Sequence, residues 1–129
     1  MSHHEHSNVT LVRKAIDALN AGYMQGMADA LADDVVWHEI GNPEPVRGKA
    51  ALAARLSGVG GEYEFSGTAH DVVGNDDHVV ALAETTVQHA GRTITYRTAE
   101  IFHVKDGKIA ERWAFSDDTG AINDFFGGA

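Results

Sequence analysis

Apolar positions recur at three- and four-residue steps in the first third of this chain and at two-residue steps in the second half. Val9, Val12, Ile16, Leu19 and Tyr23 form one stripe at helical spacing, the mark of a helix that buries a single face. Ser7 or Asn8 is placed to cap it and Gly22 to break it. Met24, Met27, Ala28 and Leu31 predict a shorter helix ending before Asp33-Asp34, and a strand follows from Val35 through Ile40. The loop Gly41-Asn42-Pro43-Glu44-Pro45 then turns the chain.

Residues from about Gly48 to Leu56, rich in Ala, Leu, Lys and Arg, predict a third helix closed by Ser57-Gly58 and the Gly60-Gly61 pair. Four strand-like runs come next: Tyr63 to Val73, His78 to His89, Thr93 to Val104 and Lys108 to Phe115. Their separators, Gly74-Asn75-Asp76-Asp77, Ala90-Gly91-Arg92 and Lys105-Asp106-Gly107, suit hairpin turns. The expected product is an antiparallel meander. Helices gathered first and strands later imply an α+β fold, with the helices covering one face of a curved antiparallel sheet that closes partly into a cone. Residues 1–7 are expected to be a flexible tail, and Asp124 to Ala129 a helix end followed by a frayed terminus.

At 129 residues the chain suits one domain, 1–129, that buries roughly two thirds of its unfolded surface. Cysteine is absent, which excludes disulfides, thiol catalysis and thiolate metal sites. Ten basic against nineteen acidic side chains give a net charge of -9, which repels phosphate backbones and argues against a nucleic-acid partner. No apolar run reaches membrane-spanning length, and Met1 to His6 lacks the apolar core of a secretory signal. A soluble, cytoplasmic protein without a membrane partner is the expectation. Of the eight histidines, only His3, His4 and His6 cluster, so no metal site and no cofactor are expected. His38, His70, His78, His89 and His103 are scattered over separate strands.

The candidate chemistry lies in two acids set in apolar runs. Around Glu39, a strand's alternation puts Val35, Trp37 and Glu39 on one face. Around Glu100 it puts Tyr96, Thr98, Glu100, Phe102 and Val104 on one face, with Arg97 and His103 opposite. Two carboxylates on greasy faces suggest a lined pocket with Trp37, Tyr96, Thr98 and Phe102 in its wall. The alternative is that each acid lies near a strand end and is solvated, since unpartnered buried Glu is rare.

Ala18-Leu19-Asn20-Ala21-Gly22, Ala32-Asp33-Asp34-Val35-Val36, Pro45-Val46-Arg47-Gly48 and Phe102-His103-Val104-Lys105-Asp106-Gly107-Lys108-Ile109 follow in an order and spacing that resembles one superfamily. It contains nuclear transport factor two, ketosteroid isomerase and the SnoaL-like polyketide cyclases, and its fold is a cone-shaped curved sheet on N-terminal helices. The resemblance implies that Glu39 stands where the isomerase has its aspartate base. It implies that Glu100 stands where the isomerase has a protonated aspartate in its oxyanion hole. Both are Glu rather than Asp, one bond step of about 1.5 Å longer, and the isomerase's hydrogen-bonding tyrosine falls at Ala15.

The same comparison sends Arg112 and Ala114 inward, where Arg112 either binds an anionic substrate or pairs with Glu100. The implied function is a small-molecule isomerase or cyclase with Glu39 as base and neutral Glu100 as hydrogen-bond donor, acting on a hydrophobic small molecule. The alternatives are a non-catalytic homodimeric ligand-binding protein, or an enzyme like limonene-epoxide hydrolase, whose Asp-Arg-Asp group Glu100 and Arg112 partly echo. A homodimer is implied in either case, with Trp113 and Phe115 on the outer sheet face. Asp117-Asp118, after the last strand, stands either at the pocket mouth or in a solvated turn.

Overall fold

The structure, a computed structural model, describes residues 6–127. Four helices and six strands follow one another: α1 (Ser7–Asn20), α2 (Met24–Asp29), β1 (Leu31–Trp37), β2 (Val46–Arg47), α3 (Lys49–Glu62), β3 (Glu64–Gly74), β4 (His78–His89), β5 (Arg92–Lys105), β6 (Lys108–Ser116) and α4 (Thr119–Gly127). The strands form one curved, unclosed sheet in the order β2-β1-β6-β5-β4-β3.

The long strands pair as an antiparallel meander, β3 with β4, β4 with β5 and β5 with β6. Two of its hairpins have a direct local cause. His89 faces Arg92 and Lys105 faces Lys108 across two-residue turns. In each turn both residues have positive φ: Ala90 51° and Gly91 77°, Asp106 52° and Gly107 74°. This is the twist-matching hairpin turn, in which glycine carries the second left-handed position without steric cost.

The sheet is nevertheless mixed rather than purely antiparallel, because β1 runs parallel to β6. That pairing also corrects the first strand. Leu31, expected in the second helix, opens β1 opposite Ile109, while Ile109 N–H donates to Ala30 C=O at 2.8 Å. Leu31 and Ile109 are both fully inside, so tertiary burial overrides the helical spacing that Leu31 shared with Met27. At its other end β1 stops at Trp37, and Glu39 lies in the segment beyond it. The third helix also exceeds its expected end: α3 continues through Ser57-Gly58 and Gly60-Gly61 to Glu62.

The cap of α1 is neither Ser7 nor Asn8 but His6, whose Nδ1 accepts the Asn8 N–H at 3.1 Å. The Asn8 side chain instead donates to the Asn75 and Asp76 carbonyls in the β3–β4 turn, and His6 Nε2 meets Asp76 Oδ1 at 2.9 Å. The tail and the final Gly128-Ala129 lie, apart from His6 and Ser7, outside the described residues.

The main core is where α1, α2 and α3 press on the inner sheet face: Val12, Ala15, Met27, Leu52, Val35, Val79, Phe102 and Ile109 are among its buried members. A second cluster, Val87, Tyr96, Ile122 and Phe125, forms where α4 meets β4 and β5. Between the two the sheet's concave face is left partly uncovered. No helix among the described residues is long and apolar enough to cross a membrane.

Leu52 is 0% exposed and anchors α3 to this core. Leu52→Ala should lower stability by about 2–5 kcal/mol, read as a fall in the urea midpoint at unchanged slope.

Candidate functional site

The uncovered part of the concave face is a cavity of about 1160 Å³. That is somewhat above the roughly 300–1,000 Å³ usual for small-molecule pockets. Its wall is mostly apolar and comes from every layer of the fold: Ala15 and Leu19 of α1, Met27 of α2, Trp37 of β1, Phe65 of β3, Ala83 of β4, Tyr96 and Phe102 of β5, Ile122 and Phe126 of α4. Five charged residues line it: Glu39, Arg55, Glu64, Glu100 and Arg112.

Both acids read from the sequence thus line one hollow. Strand alternation accounts for Glu100, which shares the inner face of β5 with Tyr96 and Phe102. Glu39 arrives differently. The pairing with β6 continues one residue past β1, His38 N–H donating to Arg112 C=O at 2.9 Å. The alternation therefore persists, with Trp37 inward, His38 outward against Glu111 and Trp113, and Glu39 inward. A turn closed by Asn42 N–H to Glu39 C=O at 3.2 Å then carries the chain away.

Arg112 holds the floor of the cavity together. Its Nε and Nη2 both donate to Glu100 Oε1, at 3.1 and 2.7 Å, and its Nη1 donates to the His38 carbonyl at 2.9 Å. Its guanidinium lies 4.5 Å from the centre of the Trp37 ring, a cation–π contact, and Trp37 in turn meets Phe102 edge-on. Glu100 Oε2 accepts from the Thr98 hydroxyl at 3.4 Å. The two charged side chains are only 11% and 16% exposed.

This pairing bears on the role expected of Glu100. Both of its oxygens accept hydrogen bonds, and one accepts twice from a cation, which is how an ionised carboxylate is used. Of the two fates open to Arg112, pairing with Glu100 is the one found.

Glu39 has its own arginine. Arg55 Nε donates to Glu39 Oε2 at 2.9 Å and Asn42 Nδ2 to Oε1 at 3.3 Å. Here the setting is wetter: the Arg55 side chain is 52% exposed and that of Glu39 22%. Arg55 and Asn42 were not legible as partners of Glu39, since nothing in sequence ties a residue of α3 to one sixteen positions earlier. The aromatic side of the cavity, Tyr63, Phe65 and Phe126, was missed for the same reason.

Of the wall positions inferred from sequence, Ala15, Trp37, Tyr96, Phe102 and Arg112 line the cavity, while Thr98 and Ala114 do not. Thr98 is buried behind Glu100, and Ala114 faces Glu100 across the β5–β6 pairing. Asp117 and Asp118 stay out of the cavity as well: Asp117 accepts the Arg97 N–H and Asp118 the Ala121 N–H, so both serve the turn into α4. Among the described residues no group of His, Asp and Glu is placed to hold a metal ion.

Tyr96 has a perturbed phenol. Burial pushes it above its ordinary value, the negative charge of Glu100 adds to this, and Arg112 offsets part of it. Because the folded state keeps this proton to higher pH than the unfolded chain does, the associated stability is complete below the unfolded value near about 10 and is lost as pH rises through the folded value. Urea midpoints measured from about pH 9 to pH 11 should therefore fall more steeply in the parent protein than in Tyr96→Phe. Parallel curves for the two proteins would contradict this.

With the geometry in place, comparison with known proteins places the fold. No curated protein matches this sequence. Among solved structures, Bal32a from a soil-derived mobile gene cassette is similar at TM-score 0.86 and 23% identity, over 92% of this chain and 95% of that one. An LEH-like epoxide hydrolase of M. tuberculosis matches at TM-score 0.78 and 21% identity, over 95% of this chain and 88% of that one. A candidate polyketide cyclase of Xanthomonas campestris pv. campestris matches at 0.77 and 24%, over 84% and 88%. At these identities the likeness establishes the architecture. The sequence model of the SnoaL-like domain matches residues 12–112, a span that runs from the buried face of α1 to the arginine on the cavity floor, and the chain belongs to the SnoaL-like family.

Proposed function

We propose that this protein is a small-molecule enzyme of the isomerase or cyclase kind, working by proton transfer next to a carbonyl, with Glu39 as the general base. The observation that carries the reading is that Glu39 lies on the wall of a large apolar cavity that also holds the Glu100–Arg112 pair. An apolar hollow selects a hydrophobic substrate, and a carboxylate on its wall supplies a base within reach of that substrate's carbon acid.

In the step we assign, a Glu39 oxygen takes the proton from the carbon beside the carbonyl. The C–H electron pair becomes a C=C bond, and the carbonyl π pair moves onto oxygen. Return of the proton to another carbon completes an isomerisation, whereas attack of the enolate carbon on a second carbonyl completes a cyclisation. Arg55 and Asn42 aim the Glu39 carboxylate. Arg112, with one hydrogen on each of Nη1 and Nη2 beyond those engaged with described residues, presents positive charge to the same space. The cavity's size favours a ketone or related carbonyl compound of at least two fused rings.

One observation supports a second chemistry. The part-buried Glu100–Arg112 pair is a carboxylate and a guanidinium at one site, the elements with which the epoxide-hydrolase reading would activate water. An epoxide belongs beside the ketones in any screen.

The base assignment is read by hydrogen–deuterium exchange of bicyclic ketones in heavy water. Glu39→Gln keeps the shape and removes the basicity, so exchange at the carbon next to the carbonyl should slow by about a hundredfold or more. An unchanged rate would remove Glu39 from the chemistry.

We further place the expected homodimer contact on the outer face of the sheet. There Leu82, Ala99 and Phe115 align across three strands beside Val80, Ile101 and Trp113, and Leu82 and Phe115 are 39% and 59% exposed. Such a cross-strand apolar patch is what an interface covers. A light-scattering mass of two chains is expected, falling to one on Phe115→Glu; a parent mass of one chain would refute it.

A further inference from the structure

Several donors on the cavity wall have no hydrogen-bond partner among the described residues, Trp37, Tyr63, Thr85 and Tyr96 among them, and Tyr96 is the one that shares the inner face of β5 with Glu100. Tyr96 projects from the inner face of β5, two residues from Thr98 and four from Glu100, and lines the cavity. Its residue is 9% exposed, yet its hydroxyl has no hydrogen-bond partner among the described residues. No fully enclosed side-chain oxygen or nitrogen lacks a partner among the described residues. The Tyr96 hydroxyl is therefore not sealed in the core but opens onto the hollow. The hydroxyl is the polar tip of a side chain otherwise packed with Val87, Ile122 and Phe125, and an unpaired phenol in such a setting calls for a ligand acceptor.

Nearby groups do not compete for it. Glu100, on the same face of its strand, already accepts from Arg112 and Thr98. The position on α1 where the related isomerase carries its tyrosine is Ala15, which has no donor to offer. The enolate oxygen formed by the proton transfer proposed above needs a donor.

We propose that the Tyr96 hydroxyl donates a hydrogen bond to the substrate oxygen on which negative charge develops, making Tyr96 a catalytic residue of this site. The inference rests on the proton-transfer reading of the cavity. No proton leaves Tyr96 in the step: its O–H bond stays intact while the enolate oxygen accepts, and the phenol's raised affinity for its proton keeps the donor neutral across the physiological range. A donor aimed at developing charge in a water-poor site is worth about a hundred- to a thousandfold in rate.

The aromatic side of the cavity guides the choice of probe. Tyr63, Phe65 and Phe126 line it, and the Phe65 and Phe126 rings lie nearly parallel with centroids 6.0 Å apart, a surface suited to a flat fused ring. 4-Nitro-1-naphthol is such a ring and is ionised at neutral pH, so its oxygen mimics an enolate; 1-nitronaphthalene has the same ring without the oxygen. Affinities of both are read by absorbance titration against the parent protein, Tyr96→Phe and Glu39→Gln.

Tyr96→Phe removes a hydroxyl that bonds to no described residue, so the fold should persist, as checked by its neutral-pH melting point. It should weaken naphtholate binding about ten- to a hundredfold, the range of a charge-assisted hydrogen bond, and leave nitronaphthalene within about twofold. Equal naphtholate affinity in Tyr96→Phe and parent, or equal loss of both probes, overturns the proposal. So does a parent protein that does not prefer naphtholate to nitronaphthalene. Glu39→Gln should retain the naphtholate preference while losing ketone exchange. If exchange survives in Glu39→Gln but Tyr96→Phe still loses naphtholate, the base assignment fails and the donor assignment stands.

Discussion

The arrangement of this site depends on a single arginine placed where a charge is costly. Arg112 sits at the seam where β1 joins the meander, the one parallel pairing in the sheet. Its backbone carbonyl accepts from His38, its side chain returns a bond to the His38 carbonyl, and two further N–H groups donate to Glu100. A guanidinium this enclosed requires such partners, since an unpaired buried charge costs several kcal/mol by the usual reckoning, on the order of 3–5. Satisfying it fixes the chain just before Glu39, the orientation of Glu100 and the position of the Trp37 ring at once. Three cavity groups, two at the end of β1 and one on β5, are thereby placed by one network.

That network also divides the labour among the carboxylates. Glu100 is committed to the floor, where it balances Arg112. Glu39 is held more loosely, against a half-exposed Arg55 whose attraction is weakened by water. A base must exchange protons and be reached by substrate, so the wetter, less firmly paired acid is the better suited one. The phenol of Tyr96, on the same face of β5 as Glu100, is one group on the wall with an unused O–H.

The apolar content of the wall has a structural origin of its own. Helices α1, α2 and α3 pack on part of the inner face and α4 on another, and the space between keeps the side chains that a closed core would have buried. Trp37 and Phe102 serve both purposes, buried in the main core and forming cavity wall. A cavity made in this way requires that the fold be stable without filling it, and the fully enclosed Val12, Val35, Leu52, Val79 and Ile109 supply that stability elsewhere.

Much of this was legible in the chain itself. The α1 stripe, the four long strands and their two-residue turns follow from local periodicity and from Ala90-Gly91 and Asp106-Gly107, because turn chemistry and side-chain alternation act over a few residues. The same alternation turned Glu100, Tyr96 and Phe102 to one face, and the order of motifs pointed to the SnoaL-like cone. What periodicity could not supply was partnership across the fold. Leu31 left its helical spacing because Ile109 lay beside it, Glu39 found Arg55 on a helix, and Glu100 found Arg112 across the β5–β6 pairing. The sequence by itself determined the elements and which side chains face inward; only the tertiary structure decided which inward charges meet, because the energy of a buried charge depends on what stands within a few ångströms of it and not on its neighbours in the chain.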